Sequence, residues 1–355
     1  MHLNKKLGLT LFLLVQVLLV LLIKNFPQFI ESYYSNGFYL VSSRLMRYAF
    51  GWLPISIGDL FYTLAGLYAL RWLYITRSNW IKKPLTQLLN IGATLSIIYL
   101  AFHLLWGLNY YRQPLHESLE IKKDYTTEEL VKFTNRLISK SNEVHFKITQ
   151  NDSEKVVLPY SKSQILKDVQ MGYNQLAITH AYLDYKPISI KKSIYSLPLT
   201  YMGFSGYLNP FTNEAQVDGL IPTYRFPTTA SHEVAHQLGY AAENEANFIG
   251  AMAAMNHTDI YFNYSGYTFA LGHCLNELYR RDSTLYEDLA SKINSGIFKN
   301  YDEVRQFWMS YQNPLEPVFK STFDNFLKVN NQKDGMKSYS YVVALLVNYY
   351  KDTTL

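Results

Sequence analysis

Two histidines four residues apart are the residues in this sequence best suited to bind a metal ion. His232, Glu233 and His236 form an HExxH pattern inside the stretch Ala230–Gly239. On a helix, residues four apart lie on one face, so both imidazoles can reach one zinc ion while Glu233 reaches a metal-bound water. The pattern predicts a zinc-dependent hydrolase with His232 and His236 as ligands and Glu233 as the general base.

A third ligand is needed, because a catalytic zinc takes three protein ligands and keeps a fourth position for water. Cys274 is the only cysteine, which excludes an internal disulfide and a cysteine-built zinc cluster. Glu243 follows His236 across a turn at Gly239, and this spacing lets the chain return a carboxylate to the ion. Glu245 lies about 200° further round the same helix, so only one of the two carboxylates can point inward. Glu243 is the preferred third ligand, and Glu245 is the alternative.

The segments around the motif predict two helices and two strands. Pro227 suits the first turn of a helix, so the motif falls on a helix that Gly239 ends. A second helix is predicted from Ala241 to Met255. Upstream, β-branched residues predict short strands within 186–199 and 211–218. The second strand is either an edge that pairs with a substrate backbone or one arm of an ordinary hairpin.

The remaining sequence after residue 108 has the pattern of helices around one core. Thr126 and Glu129 have the spacing of a capping box, and apolar residues then repeat with helical period. His180 is expected to be a packed or surface residue rather than a ligand. Further helices are predicted at Ser163–Leu183, Ser265–Arg280, Thr284–Ile293, Asp302–Tyr311 and Ser338–Tyr350. The expected fold is mostly α (α+β), with a small β-sheet.

Three apolar stretches predict a membrane domain over residues 1–108. They cover about 7–23, 57–75 and 88–106, and each is close to the length that crosses a bilayer. The apolar fraction of 48%, with 16% aromatic residues, fits a chain that lies partly in a membrane. No small-residue cleavage site follows the first stretch, so it is interpreted as an uncleaved anchor. Residues 109–355 are predicted to form one soluble domain.

Basic residues beside the apolar stretches predict the orientation of the chain. Lys5 and Lys6 precede the first stretch, while Arg77, Lys82 and Lys83 lie between the second and the third. Because basic residues concentrate on the cytoplasmic side, the soluble domain is predicted to be extracytoplasmic, at a bacterial inner membrane. The formal net charge of +5 is spread thinly, so no nucleic-acid partner is expected. The expected partners are the lipid bilayer and a peptide or protein substrate.

A hydrolytic site also needs a hydrogen-bond donor for the oxyanion that forms at the scissile carbonyl. Six side chains are candidates, and no sequence feature decides among them: Tyr264, Tyr267, His257, His273, Tyr339 and Tyr341. His257 and His273 do not have ligand spacing to the motif, so a structural role is expected for both.

The motif and its flanks resemble known families. The run ENEANF, residues 243–248, carries an ExxAN pattern similar to the third-ligand helix of the gluzincin metallopeptidases, in which the first Glu is the ligand. This resemblance favours Glu243. Asn247 stands where many gluzincins have Asp, and an amide can still accept from an imidazole N–H.

A second resemblance covers most of the chain. HEVAHQLGYAAENEANF, preceded by GFSGYLNPFTNEAQV and by the three apolar stretches, resembles a family of bacterial membrane proteins known only as a domain of unknown function. The similarity extends to residues 264–267 and 338–341. Members of that family look like membrane-anchored gluzincins, which implies a zinc metallopeptidase domain.

The sequence therefore leads to one main hypothesis and two alternatives. The main hypothesis is a membrane-anchored zinc metallopeptidase that hydrolyses peptide bonds with a zinc-activated water. One alternative is a zinc-binding sensor or assembly protein without hydrolytic activity, although a closed structural site would have no use for Glu233. The other is a zinc amidase that acts on cell-wall components with the same residues.

Overall fold

The protein is mostly helical and contains one small sheet, as predicted. The computed structural model describes residues 3–332 and 341–355. The helices before the metal motif are α1 (Leu3–Ile23), α2 (Pro27–Phe29), α3 (Tyr39–Phe50), α4 (Ile57–Thr76), α5 (Asn79–Lys82), α6 (Pro84–Leu105), α7 (Leu115–Ser118), α8 (Thr127–Thr149), α9 (Lys162–Thr179) and α10 (Ser196–Met202). The helices from the motif onward are α11 (Phe226–Gln237), α12 (Glu243–Met255), α13 (Ile260–Arg281), α14 (Ser283–Ala290), α15 (Ser295–Ser310), α16 (Glu316–Val329) and α17 (Val342–Tyr349). The strands are β1 (Ile190–Lys192), β2 (Gly206–Asn209) and β3 (Glu214–Val217).

The helices after residue 108 follow the predicted pattern in most places. Thr126 caps α8, and both hydrogen bonds of the predicted capping box with Glu129 are present. Helices α9, α13, α14 and α15 overlap their predicted segments, whereas α16 was not predicted. Helix α17 covers most of the predicted C-terminal helix, of which residues 338–340 lie outside the described part of the chain. The core forms where α11 and α12 pack against each other and against α9 and α13.

The sheet corrects the prediction of which strand could pair with a substrate. The strand order is β1-β3-β2, with β1 parallel and β2 antiparallel to β3. The segment 211–218 therefore supplies the central strand, whose two edges are already paired. Because a substrate can add only to a free edge, the predicted role as a substrate-pairing edge is wrong for this segment, and β2 is the strand in a position to take it. The alternative is confirmed, since β3 forms a hairpin with β2.

Two helices of the described residues, not three, are long and apolar enough to cross a membrane. They are Asn4–Ile23 in α1 and Pro84–Leu105, which is the whole of α6. The predicted middle stretch does form a helix with almost the predicted bounds, Ile57–Thr76. However, Asp59, Arg71 and three tyrosines lower its hydropathy below that of a candidate span. Two of the three predicted stretches are thus candidate spans, and the middle stretch is not, because its two charged residues and its tyrosines offset its aliphatic residues.

Helices α1 and α6 pack side by side and run parallel. Thr10 contacts the carbonyl of Leu89 at 3.4 Å, and the Gln16 amide donates to the Ser96 hydroxyl at 3.0 Å. The residue numbers of the contacting pairs thus increase together along the two helices, as they do only when the helices are parallel. Their C-terminal ends consequently lie on the same side, where Trp106 and Ile30 join one buried cluster.

Side chains that precede and follow α6 hold the end of α11, the helix that carries the HExxH motif. The carbonyls at the end of α11 have no partner within the helix, so other groups must satisfy them. Four side chains that precede residue 113 donate to carbonyls at and just after this end: Trp106 to His236, Tyr39 and Arg47 to Gln237, and Arg112 to Gly239. Two of these donors are cations, which the negative end of the helix dipole also favours. Residues on both sides of the predicted boundary at 108/109 therefore hold the metal-motif helix.

Candidate metal centre

Helices α11 and α12 bring three potential metal ligands together. His232 and His236 lie one turn apart on α11, and their Nε2 atoms are 3.1 Å apart. The chain then reverses at Gly239, whose φ of 92° is unfavourable for any residue with a Cβ, and α12 begins at Glu243. Oε2 of Glu243 lies 3.4 Å from Nε2 of His232 and 3.7 Å from Nε2 of His236. All three ligand atoms lie within 4.8 Å of one another.

The chemistry of this donor set fits a metal ion. Nδ1 of His236 donates to the carbonyl of Tyr240 at 2.7 Å, which leaves the lone pair of Nε2 free in the neutral ring. Asn247, one turn after Glu243, lies beside the His232 ring and lines the same cavity. Two imidazole nitrogens and one carboxylate oxygen are the ligand types of open zinc sites. The residues present could therefore hold a divalent cation with a position left for water.

Glu245 lies away from this group. Its Oε1 accepts the backbone N–H of Leu115 at 2.7 Å, and Arg112 and Glu31 are its charged neighbours. Burial raises the pKa of Glu245 to about 7, against the effect of the Leu115 N–H and of Arg112. The structure thus places Glu243, and not the alternative Glu245, with the two histidines.

The three ligands strongly influence each other's protonation. Burial by itself would raise the pKa of Glu243, but His236 and His232 outweigh burial and hold this pKa well below its usual range. Burial would lower the pKa of His236, yet the adjacent carboxylate of Glu243 raises it to about 9. Burial dominates for His232, whose pKa is lowered. Without a metal, the pair His236–Glu243 therefore holds one proton, which a cation must displace.

Glu233 is buried beside the ligands and has a free carboxylate oxygen. Its side chain is 4% exposed, and Oε2 has no hydrogen-bond partner among the described residues. Burial raises the pKa of Glu233 to about 8, and the Glu243 carboxylate adds to this rise. Unpaired buried carboxylate oxygens are costly and rare, so they point to a function that uses them.

Strand β2 approaches Glu233 so closely that only glycine fits there. A Cβ at Gly206 would lie 2.4 Å from Oε1 of Glu233 and 2.6 Å from the carbonyl oxygen of Gln216. The absence of a side chain at Gly206 therefore lets the strand backbone pass directly beside the carboxylate.

A cavity of about 1230 Å³ opens over the ligands. Its walls near the metal site are formed by α11, α12, α13 and β2, and the side chains there include Thr228, His232, Glu233, His236, Glu243, Asn247, Phe269 and His273. The far wall comes from α4, α6 and α16, and includes Tyr62, Ile98, Phe102, Phe323 and Phe326. One continuous space thus joins the metal ligands to a helix that is a candidate membrane span.

Among the described residues, one of the six candidate oxyanion donors lines this cavity. His273 does so, and burial together with Arg225 lowers its pKa to about 3, so its ring is neutral. The other described candidates lie elsewhere: Tyr264 donates to Asn300, His257 stacks on Phe262, and Tyr267 and Tyr341 do not line the cavity. Tyr339 lies outside the described residues. The expected structural role thus fits His257, whereas His273 faces the site.

Arg225 and Tyr301 were not identified from the sequence although both line the cavity. The guanidinium of Arg225 lies 4.1 Å from the centre of the Phe269 ring, and the Tyr301 hydroxyl donates to the Thr268 carbonyl. Arg225 precedes His232 by two helical turns, so helical periodicity could have indicated it. Tyr301 comes from a separate helix, and no local pattern marks it.

Comparison with known proteins identifies the family but no characterised relative. No curated protein and no solved structure matches this chain. The predicted resemblance to a family of unknown function is confirmed, since one family model matches residues 34–347, which is most of the chain. The protein belongs to the family described as proteins of unknown function, DUF3810.

Proposed function

We propose that this protein is a zinc-dependent peptidase anchored in the membrane. The observation that carries the proposal is the free, buried Oε2 of Glu233 beside three ligand atoms and at the wall of a large cavity. A structural zinc site would use four closed ligands and would leave no cavity over them. A site with three ligands, an unpaired carboxylate and an open space fits hydrolysis.

The residues of the site divide the work of peptide hydrolysis. When zinc is bound, it lowers the pKa of a water molecule and polarises the substrate carbonyl. Glu233 accepts a proton from the attacking water and passes it to the leaving nitrogen, so that a carboxylic acid and an amine are released. The neutral ring of His273 is our candidate for the donor to the oxyanion. The hydrogen bond to the Tyr240 carbonyl keeps His236 in the tautomer that binds metal.

We further propose that β2 aligns the substrate backbone. Residues Ser205–Leu208 line the cavity, and β2 pairs with β3 along one edge. Addition of an extended peptide to the other edge would carry its amide past Glu233, where Gly206 leaves room for the backbone.

The two candidate spans support an extracytoplasmic location of the site. Lys5 and Lys6 lie in the first turns of α1, and Lys82 and Lys83 directly precede α6. Because the two helices are parallel, both basic clusters lie on one side and the metal ligands on the other. By the preference of basic residues for the cytoplasm, the metal site would face outward.

One experiment tests both the activity and its location. Wild-type protein in sealed right-side-out vesicles should hydrolyse a membrane-impermeant peptide library, whereas inverted vesicles should do so only after they are opened. The variant Glu233→Gln should retain about one zinc per chain and lose turnover by about 100-fold or more, because it has no general base. His236→Ala should lose both zinc and turnover.

The outcomes separate the proposal from its alternatives. Purified wild-type protein without bound zinc, or with zinc but equal turnover in Glu233→Gln, would refute the mechanism. Zinc binding without hydrolysis of any peptide would favour a sensor or assembly protein. Hydrolysis of cell-wall amides in place of peptides would favour an amidase that uses the same residues.

A further inference from the structure

The cavity over the metal ligands extends to a membrane helix. Ile98 and Phe102 of α6 line it, and α6 is a candidate span that ends at Leu105. At 1.5 Å per residue, Ile98 lies about 10 Å inside the end of that span. The space that begins at the metal ligands therefore reaches the depth of the hydrocarbon part of a bilayer.

The lining changes its chemistry along this path. Near the metal the walls carry hydrogen-bonding groups from His273, Asn247 and the β2 backbone. At the other end most of the lining side chains of α4, α6 and α16 have no hydrogen-bonding group, namely Ile98, Phe102, Phe323 and Phe326, while Tyr62 and Lys320 have one each. The Phe102 and Phe326 rings contact each other, with 6.2 Å between their centres. A ligand that fills the whole cavity must accordingly be polar at one end and apolar at the other.

The volume and lining of this path favour a hydrocarbon chain over a peptide at the bilayer end. An extended peptide backbone there would leave N–H and C=O groups without partners, which an apolar environment penalises strongly. A helical segment is about 10–12 Å wide. A length of about 13 Å of such a helix would already fill a volume equal to that of the entire cavity. An alkyl chain is narrow and has no polar groups to satisfy.

We propose that the substrate is a peptide that carries a fatty acyl chain, with the chain seated against the apolar side chains of α6 and α16 and the scissile amide at the metal ligands. This inference rests on the proposed peptidase function, because it specifies the substrate class of the same site. The reaction remains amide hydrolysis with water as the second reactant, and the acyl chain takes no part in bond cleavage. The chain holds the peptide at the membrane surface, which raises its effective concentration at the site.

The test uses an N-palmitoyl peptide with a photoreactive diazirine in its acyl chain, and full-length Glu233→Gln protein in nanodiscs. Glu233→Gln is chosen so that binding is measured without turnover. After irradiation, mass spectrometry should find labels on cavity residues of α4, α6 or α16. Ile98→Trp should reduce this labelling by about tenfold or more, since one extra group in an apolar pocket has effects of this size. Ile97→Trp is the matched control, because Ile97 is the neighbouring residue, is 57% exposed and does not line the cavity.

A parallel turnover measurement distinguishes failure of this inference from failure of the peptidase function. Wild-type protein should show a kcat/KM for the palmitoyl peptide at least about tenfold above that of its acetyl counterpart. Ile98→Trp should reduce this ratio, and Ile97→Trp should leave it unchanged. If cavity residues are labelled but no peptide is cleaved, the acyl site stands and the peptidase function fails.

Three results would overturn the acyl site. The first is equal cleavage of the acetyl and palmitoyl peptides, with the peptidase function intact. The second is labelling that is confined to lipid-facing side chains or is equally sensitive to both tryptophan variants. The third is full displacement of the acyl probe by an unacylated transmembrane peptide, which would make an apolar peptide segment the occupant.

Discussion

The two ends of the cavity differ in how firmly their side chains are held. At the metal end, His232, His236 and Glu243 are largely buried, and Tyr240 fixes the ring of His236 through a hydrogen bond. At the opposite end, which lies beside the candidate span α6 and which we call the bilayer end, the Ile98 side chain is 47% exposed and has no polar atom that could be fixed in this way. The metal end therefore specifies atomic positions, whereas the bilayer end specifies only apolarity and size.

This difference matches what each end must do in the proposed reaction. Proton transfer and attack on a carbonyl require groups placed to within a fraction of an ångström, so preorganised side chains are needed. Selection of an alkyl chain requires only an apolar space of suitable width. We expect substitutions at the metal end to abolish activity, and substitutions at the bilayer end to change which substrates are preferred.

The largest effect is expected at Glu243, and Glu245 is its matched control because the two carboxylates differ in their surroundings. Glu243→Gln replaces a charged ligand by a neutral amide and should lower zinc affinity by more than about 100-fold. Loss of a group that only supports a ligand costs up to about 100-fold, and loss of the ligand itself should cost more. Glu245→Gln should bind zinc normally, because its amide oxygen can still accept the Leu115 N–H. Competition with a fluorescent zinc chelator measures both affinities. Equal affinities of the two variants would remove Glu243 from the metal centre.

The sequence predicted that His232, His236 and Glu243 come together, because their geometry is mostly local. Histidines four residues apart share a helix face, and a turn at Gly239 brings back the next helix within a few residues. The choice between Glu243 and Glu245 depended on tertiary structure, since the partner of Glu245 is Leu115, far away in the chain. Helical period excluded that both carboxylates face the ion, but it could not decide which one does.

The parts that the sequence did not predict depend on long-range packing. The segment 211–218 was correctly predicted to contain a strand, but its central place between β1 and β2 follows from pairing with residues 190–192 and 206–209. Strand order is invisible to a local alternation of residues. Similarly, nothing near Tyr62 or Phe326 in the sequence indicates that both side chains line the cavity above the metal ligands.

The stretch 57–75 shows how apolar composition can mislead. Its helical bounds were almost correct, since no proline interrupts it and the Ser56 side chain caps its first turn. The same residues include Asp59, whose carboxylate accepts from Ser193 and from the backbone N–H of Ile194. The start of this helix is therefore tied to the segment after β1 by polar contacts, which a count of apolar residues does not reveal.

A methyl group added beside Glu233 can be compared with one added outside the cavity. Gly206→Ala would place a Cβ 2.4 Å from Oε1 of Glu233, so that the carboxylate or the strand must move. We expect kcat to fall by about 100-fold with zinc content retained, since a shift of about 1 Å in a reacting group has an effect of this size. In Gly66→Ala, on α4, the added Cβ would meet nothing within 4 Å, so kcat should be unchanged. A normal kcat in Gly206→Ala would show that the position of Glu233 is not critical.

The smallest effect is expected at Trp106, where the segment after α6 contacts the end of α11. The indole of Trp106, which directly follows α6, donates to the carbonyl of His236 at 3.3 Å and packs beside the ring of that histidine. Trp106→Phe removes the indole N–H, so the carbonyl of His236 loses this donor. We expect the free energy of unfolding to fall by about 1 kcal/mol. Trp52→Phe is the matched control, because the Trp52 side chain is 75% exposed and its bond to Ala49 is open to water. Denaturant unfolding of both variants measures the difference. If both lose the same stability, the contact does not contribute, and the end of α11 is held instead by the Tyr39 and Arg47 contacts from α3.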